Sequence, residues 1–225
     1  MCGRYVLKAT LPEIARMLGM DVDLTLEPSY NIAPTRSVPV CRMEEPEDKQ
    51  LALMHWGLIP HWARTPDANY RLINARAETV AEKPAFRSAF QHRRCLIPAD
   101  GYYEWKSMQG RKQPYYFHLK DGTPFCFAGL WERWQPTEGE PVQSCAIITT
   151  GANALGADIH HRMPVILPRD DYARWLAPGI TAPSEVLPLL QPYPPEGMSV
   201  YPVSTLVNSA RVDEPRCITP LADPS

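Results

Sequence analysis

The sequence has no Cys-x-x-Cys pair, no secretory h-region, and no apolar run near the ~18 residues of a membrane span. It also lacks an excess of positive charge: 23 Lys and Arg face 25 Asp and Glu, a formal net charge of −2. Each absence excludes something. Without a cysteine framework or leader, Cys2, Cys41, Cys95, Cys126, Cys145 and Cys217 fit a reducing cytoplasm. Cys95, Cys126 and Cys145 sit in apolar runs and are expected as buried hydrophobes. The missing global basic field argues against a protein that coats nucleic acid non-specifically, but says nothing about a local basic groove. The expectation is a soluble, cytoplasmic chain that does not engage membranes. Glycine is modest at 12, whereas proline reaches 25 without a period, which reads as many short strands joined by rigid turns. At 225 residues one well-buried core is expected, hence a single domain over 1–225.

Thr10-Leu11-Pro12-Glu13 fits a capping box, with Ile14, Met17 and Leu18 at helical spacing and Gly19 as the stop. Strand-like runs at Val38–Met43 and Gln50–Leu58 flank the acidic 44–48 segment, a hairpin with a solvated tip. Two short helical patterns are expected from Ala77 to Phe90, interrupted by Pro84. Strand patterns follow at Cys95–Ile97, Tyr102–Lys106, Tyr115–Leu119, Phe125–Trp131 and Cys145–Thr149, with a turn at Asp121-Gly122. Then come a strand Pro164–Leu167, helices at Asp170–Leu176 and near Ser184–Leu190, and a strand Ser199–Val203. Runs of strands with helices set between them predict α+β: a strongly bent, barrel-like mixed or antiparallel sheet flanked by short helices.

Four clusters can carry chemistry. Removal of Met1 ahead of Cys2 would leave an α-amine and a thiol on adjacent carbons. Such an amine has a reference pKa of ~7.7–8.0 and condenses with aldehydes; alone, a second-position cysteine is a weak signal. Asn74, followed by Arg76, offers an amide to orient a nucleophile and a guanidinium for a phosphate, though a turn-forming Asn reads the same way. Strand alternation over Tyr102–Lys106 places Tyr103 and Trp105 on one face and Glu104 on the other. Desolvation among aromatics would raise the Glu104 pKa toward the range of proton transfer; a solvent-facing Glu is the plain alternative. His160, His161 and Arg162 pair a titrating imidazole with a cation, without zinc-site spacing, so no metal or other cofactor is expected. From His61 to Gln113 there are ten Lys/Arg and five Asp/Glu, interleaved with Trp62, Tyr70, Phe86, Phe90, Tyr102, Tyr103 and Trp105. Cations among aromatics suit single-stranded nucleic acid, although many of these rings must also be core.

Taken together, Cys2-Gly3-Arg4-Tyr5, Tyr30-Asn31-Ile32-Ala33-Pro34, Trp56-Gly57-Leu58-Ile59-Pro60, Ile73-Asn74-Ala75-Arg76-Ala77-Glu78, Gly101-Tyr102-Tyr103-Glu104-Trp105-Lys106 and Asp158-Ile159-His160-His161-Arg162-Met163-Pro164 resemble the SRAP family, the SOS-response-associated peptidase-like, abasic-site processing proteins. The resemblance runs from residue 2 to Tyr201-Pro202-Val203-Ser204. It implies a covalent thiazolidine between Cys2 and the open-chain aldehyde of an abasic sugar in single-stranded DNA, shielding the lesion in the DNA-damage (SOS) response. It further implies that Asn74 holds Cys2 and the sugar, that Glu104 is the acid/base, and that His160 bonds the ring-opened hydroxyl. Arg4, Arg76 and Arg162 would grip phosphates and Trp105 would stack on a base. A monomer that joins the nucleoid when DNA is damaged is expected. Three other readings stay open: a cysteine autopeptidase using Cys2, whose action is limited to exposing that residue; a non-catalytic single-stranded nucleic-acid module; and a scavenger of small aldehydes.

Overall fold

The computed structural model describes residues 2–22, 24–64, 72–108 and 110–221. The amino-terminal strand β1 (Tyr5–Leu7) is followed by α1 (Leu11–Leu18), β2 (Ser29–Ile32), β3 (Ser37–Met43), β4 (Lys49–Trp56) and β5 (Asn74–Arg76). The middle of the chain supplies α2 (Arg87–His92), β6 (Arg94–Ala99), β7 (Gly101–Met108), β8 (Arg111–Leu119), β9 (Phe125–Trp134) and β10 (Val142–Gly151). The last part gives β11 (Arg162–Pro164), β12 (Ile166–Leu167), α3 (Tyr172–Leu176), α4 (Pro183–Val186) and β13 (Met198–Pro202).

Around the core, β10, β4, β3, β6 and β9 pair in that order, and β9 pairs back to β10, closing a five-stranded barrel. All of these contacts are antiparallel except β4–β10, which is parallel. A closed barrel removes the sheet edges that short strands would otherwise leave unpaired. Beside it lies an antiparallel sheet in the order β13-β8-β7-β1-β2. The α+β expectation, with a bent, barrel-like sheet and short helices, therefore holds.

Local signals explain several elements. Thr10 and Glu13 form the capping box that starts α1, and Gly19 ends it with φ 62. The 44–48 segment is the exposed tip of the β3–β4 hairpin. Gly101 is required by close approach, because a Cβ there would lie 2.4 Å from the Phe117 carbonyl oxygen and 2.5 Å from the Tyr116 ring. Two expectations need correction. Of the two helical patterns in 77–90, only the second forms a helix, α2; residues 77–86 are successive turns, because Ala77 bonds back to Thr149 and Pro84 breaks the run. The single strand expected at Pro164–Leu167 is two: β11 pairs with β10, β12 pairs with β9, and Val165 between them bonds to both Ile148 and Ala128.

Candidate functional site built around Cys2, Glu104 and His160

β10 organises the site. Its first half lies between β4 and β9, and its second half between β5 and β11. β4 and β5 thus run along one side of β10, interrupted by an excursion whose neck is the Leu58–Leu72 bridge. Asn74 lies just past that neck, opposite Ile147. The Ile73 carbonyl accepts hydrogen bonds from the Trp56 indole at 3.0 Å and from Asn74 Nδ2 at 3.0 Å, which fixes the amide plane. Asn74 Oδ1 is left buried with no hydrogen-bond partner among the described residues. A buried acceptor without a donor is costly, and it marks a place where an incoming N–H or O–H would bind.

Cys2 is fully buried ahead of β1, which pairs with β7 through Tyr5 and Tyr102. Burial pushes its thiol far above the ordinary range, and the nearby Glu104 charge pushes it further. Glu104 follows the alternation expected of β7: Tyr103 and Trp105 pack together on the opposite face, with ring centroids 6.4 Å apart. Only 3% of Glu104 is exposed, and burial raises its carboxyl from 4.5 to about 7.

His160 ends a series of turns after β10 and sits with Nδ1 3.8 Å from Glu104 Oε1. His160 Nδ1 lies 3.0 Å from the Arg162 backbone N–H and 3.2 Å from the Arg162 carbonyl oxygen, so either tautomer of the neutral ring finds a backbone partner there. Burial lowers the His160 pKa, so the neutral ring is favoured at pH 7. Glu104 and His160 line one pocket of 360 Å³ with Trp105, Lys112 and Asn208. A neutral imidazole beside a carboxyl group that titrates near neutrality can pass a proton to or from a bound molecule.

The three arginines differ. Arg76 is exposed, and its side chain makes no hydrogen bond or salt bridge among the described residues, although its charge acts on Glu78. Arg162 is held by Glu78 through both carboxylate oxygens and by the Thr149 carbonyl at 2.6 Å. Arg4 donates to Asn31 Oδ1 at 2.8 Å and to the Val207 carbonyl at 2.7 Å, tying the 205–208 turn to the sheet. That turn presents Asn208, whose Oδ1 accepts from the Trp105 indole at 2.7 Å and so fixes the ring in the pocket wall. The basic stretch 61–113 also divides: Arg94 is buried and donates to five backbone carbonyls, and Arg93 pairs with buried Glu132. Of its aromatics, Phe86, Phe90, Tyr102 and Tyr103 are core, Trp62 is exposed and Trp105 lines the pocket; Tyr70 lies outside the described residues. Lys112 and Asn208 were missed by sequence reasoning, since neither lies in a motif and both reach the pocket through tertiary packing.

A small barrel is thus joined to an antiparallel sheet, with buried Glu104 beside the His160 imidazole and its charge felt by the Cys2 thiol. The chain belongs to the family described as SOS response associated peptidase (SRAP), whose profile matches residues 1–210. It is 43% identical over 222 residues to the abasic site processing protein YoqW of Bacillus subtilis (strain 168), covering 97% of this chain and 99% of that protein. It is 34% identical to the abasic site processing protein HMCES of Xenopus tropicalis, over 85% of this chain and 66% of that one. A crystal structure of a protein from Bacteroides thetaiotaomicron superposes with a TM-score of 0.89 at 30% identity, covering 98% of this chain and all of the other.

Proposed function

We propose that the chain captures abasic sites in single-stranded DNA through Cys2, after Met1 is removed, and shields the lesion during the DNA-damage response. The observation that carries this reading is Glu104: a buried carboxyl raised to about 7, 3.8 Å from the His160 ring and electrostatically linked to Cys2. The abasic sugar is mostly a cyclic hemiacetal, so the protonated Glu104 gives its proton to the ring oxygen and takes the anomeric hydroxyl proton on its other carboxylate oxygen, exposing the aldehyde. The Cys2 α-amine adds to that carbon, and loss of water with a proton from Glu104 gives the imine. The thiol then adds to the imine carbon, its proton passing to nitrogen through Glu104, and the thiazolidine closes with one water released overall.

In this mechanism the orphaned Asn74 Oδ1 accepts from the Cys2 amine or the sugar. His160 hydrogen-bonds the hydroxyl released by ring opening. Arg76, whose side chain makes no hydrogen bond or salt bridge among the described residues, grips a flanking phosphate, and Arg4 and Arg162 contribute the N–H groups that their protein partners leave available. Trp105 stacks on a neighbouring base. The protein acts as a monomer, in the cytoplasm and at the nucleoid. In this reading peptide cleavage is confined to the loss of Met1, which exposes the Cys2 amine.

The test mixes processed protein with single-stranded DNA bearing one abasic site and resolves the products by denaturing electrophoresis. A heat-stable shifted band is expected, absent with intact DNA and with Cys2→Ala. No band from protein whose free Cys2 amine is confirmed by mass spectrometry would sink the proposal.

A further inference from the structure

The outer half of the β7–β8 hairpin has no structural duty that accounts for its charge. β1 pairs with β7 at Gly101 and Tyr102, with Tyr103 donating to the Arg4 carbonyl, and β13 pairs with β8 from Tyr115 onward, with Val203 donating to the Pro114 carbonyl; among the described residues no strand pairs further out. Pairing between β7 and β8 nevertheless continues out to Met108 and Arg111. This outer part is therefore a two-stranded ribbon projecting from the sheet. It carries Lys106, Arg111 and Lys112, and none of the three side chains makes a hydrogen bond or ion pair among the described residues. Lys112 lines the 360 Å³ pocket with Glu104 and His160, and it also lines an outer depression of 670 Å³ with Met108 and Arg111. One side chain common to both makes the surface continuous from the pocket to the hairpin tip. At the tip Met108 is 50% exposed, an apolar side chain set among unpaired cations.

We propose that this ribbon is a strand-guiding arm. Lys106, Arg111 and Lys112 bind phosphates of the single-stranded DNA that flanks the captured sugar, and Met108 packs on a base. The inference rests on the DNA reading above and adds a second contact region to it. Unpaired cations with an apolar tip match the needs of a flexible polyanion with exposed base faces. Lysines also guard sheet edges against aggregation, but an edge guard would not change how DNA binding depends on salt.

The experiment measures reversible binding of single-stranded DNA carrying a tetrahydrofuran abasic analogue, which has no aldehyde, by fluorescence anisotropy at stepped salt. Each phosphate contact to a single strand contributes ~0.7 to the slope of log K against log salt. The triple variant Lys106→Gln/Arg111→Gln/Lys112→Gln should therefore lose about 2 from that slope, and each single variant ~0.7. Met108→Ala should weaken binding at every salt concentration without changing the slope. Arg16→Gln, which neutralises an exposed cation on α1, should keep the wild-type slope. Equal slopes for the triple variant and the wild type overturn the arm. In parallel, the processed wild type is tested for covalent capture of an aldehyde-bearing strand. Capture with unchanged slopes overturns the arm alone, whereas no capture overturns both readings.

Discussion

Replacing Glu104 by Gln keeps the shape of the side chain and removes its proton equilibrium, so the cost of burying the acid can be measured directly. In the folded chain this carboxyl titrates at about 7, against 4.5 for an unburied glutamate. Between those values the folded protein retains a proton that the unfolded chain has released. Stability from this group is therefore complete below about pH 4, falls as pH rises, and stays low above about pH 7. At 1.36 kcal/mol per pKa unit the loss is roughly 3 kcal/mol. For a chain of this size that corresponds to about 6–12 °C in Tm. Urea unfolding of wild type and Glu104→Gln at a series of pH values tests the reasoning. The variant should gain on the wild type by roughly 3 kcal/mol between about pH 4 and about pH 8, while losing most of its capture rate. Parallel stability curves across that range would refute the claim that Glu104 is held protonated by burial. The two effects together would mark an acid kept for chemistry at the expense of stability.

Capture by the processed protein should have a bell-shaped pH profile. It rises as the α-amine, with a reference value of ~7.7–8.0, loses its proton, and falls as Glu104 ionises above about 7. Stopped reactions with an abasic oligonucleotide check this, and Glu104→Gln should erase the falling limb; a falling limb that survives in the variant assigns it to another group. Arg94→Leu should destabilise the fold by at least about 3 kcal/mol, because five carbonyls lose a charged donor. Thermal unfolding of that variant within about 3 °C of wild type would show that the carbonyls find other partners.

What could be read from the sequence was local. The capping box of α1 acts within four residues, so it was legible before any tertiary contact was known. Alternation along β7 likewise put Glu104 on the face opposite Tyr103 and Trp105. The turns at 77–86 misled because the N–H of Ala77, where they begin, is taken by Thr149 on β10, a constraint invisible within the segment itself. Arg4 and Arg162 look like cations free for a ligand, yet each is fastened to backbone far along the chain. Lys112 and Asn208 carry no motif; the ribbon and the 205–208 turn bring them to the pocket. Period, caps and turn chemistry can be read along the chain, whereas the partner of a long polar side chain depends on which strands meet.

β10 contributes no side chain to the proposed chemistry, but it sets the spatial accuracy of the site. Asn74 is placed by Ile147 and Arg162 by Gly151, two residues of one strand that meet neighbours on opposite sides. Losing one residue between Ile147 and Gly151 would turn the following side chains to the other face and shift β11 relative to β5. An equal change in the exposed 44–48 tip would be absorbed by the hairpin loop. Tolerance to insertion and deletion should therefore be lowest in a strand whose own residues could be exchanged for other apolar ones with little effect on the reaction.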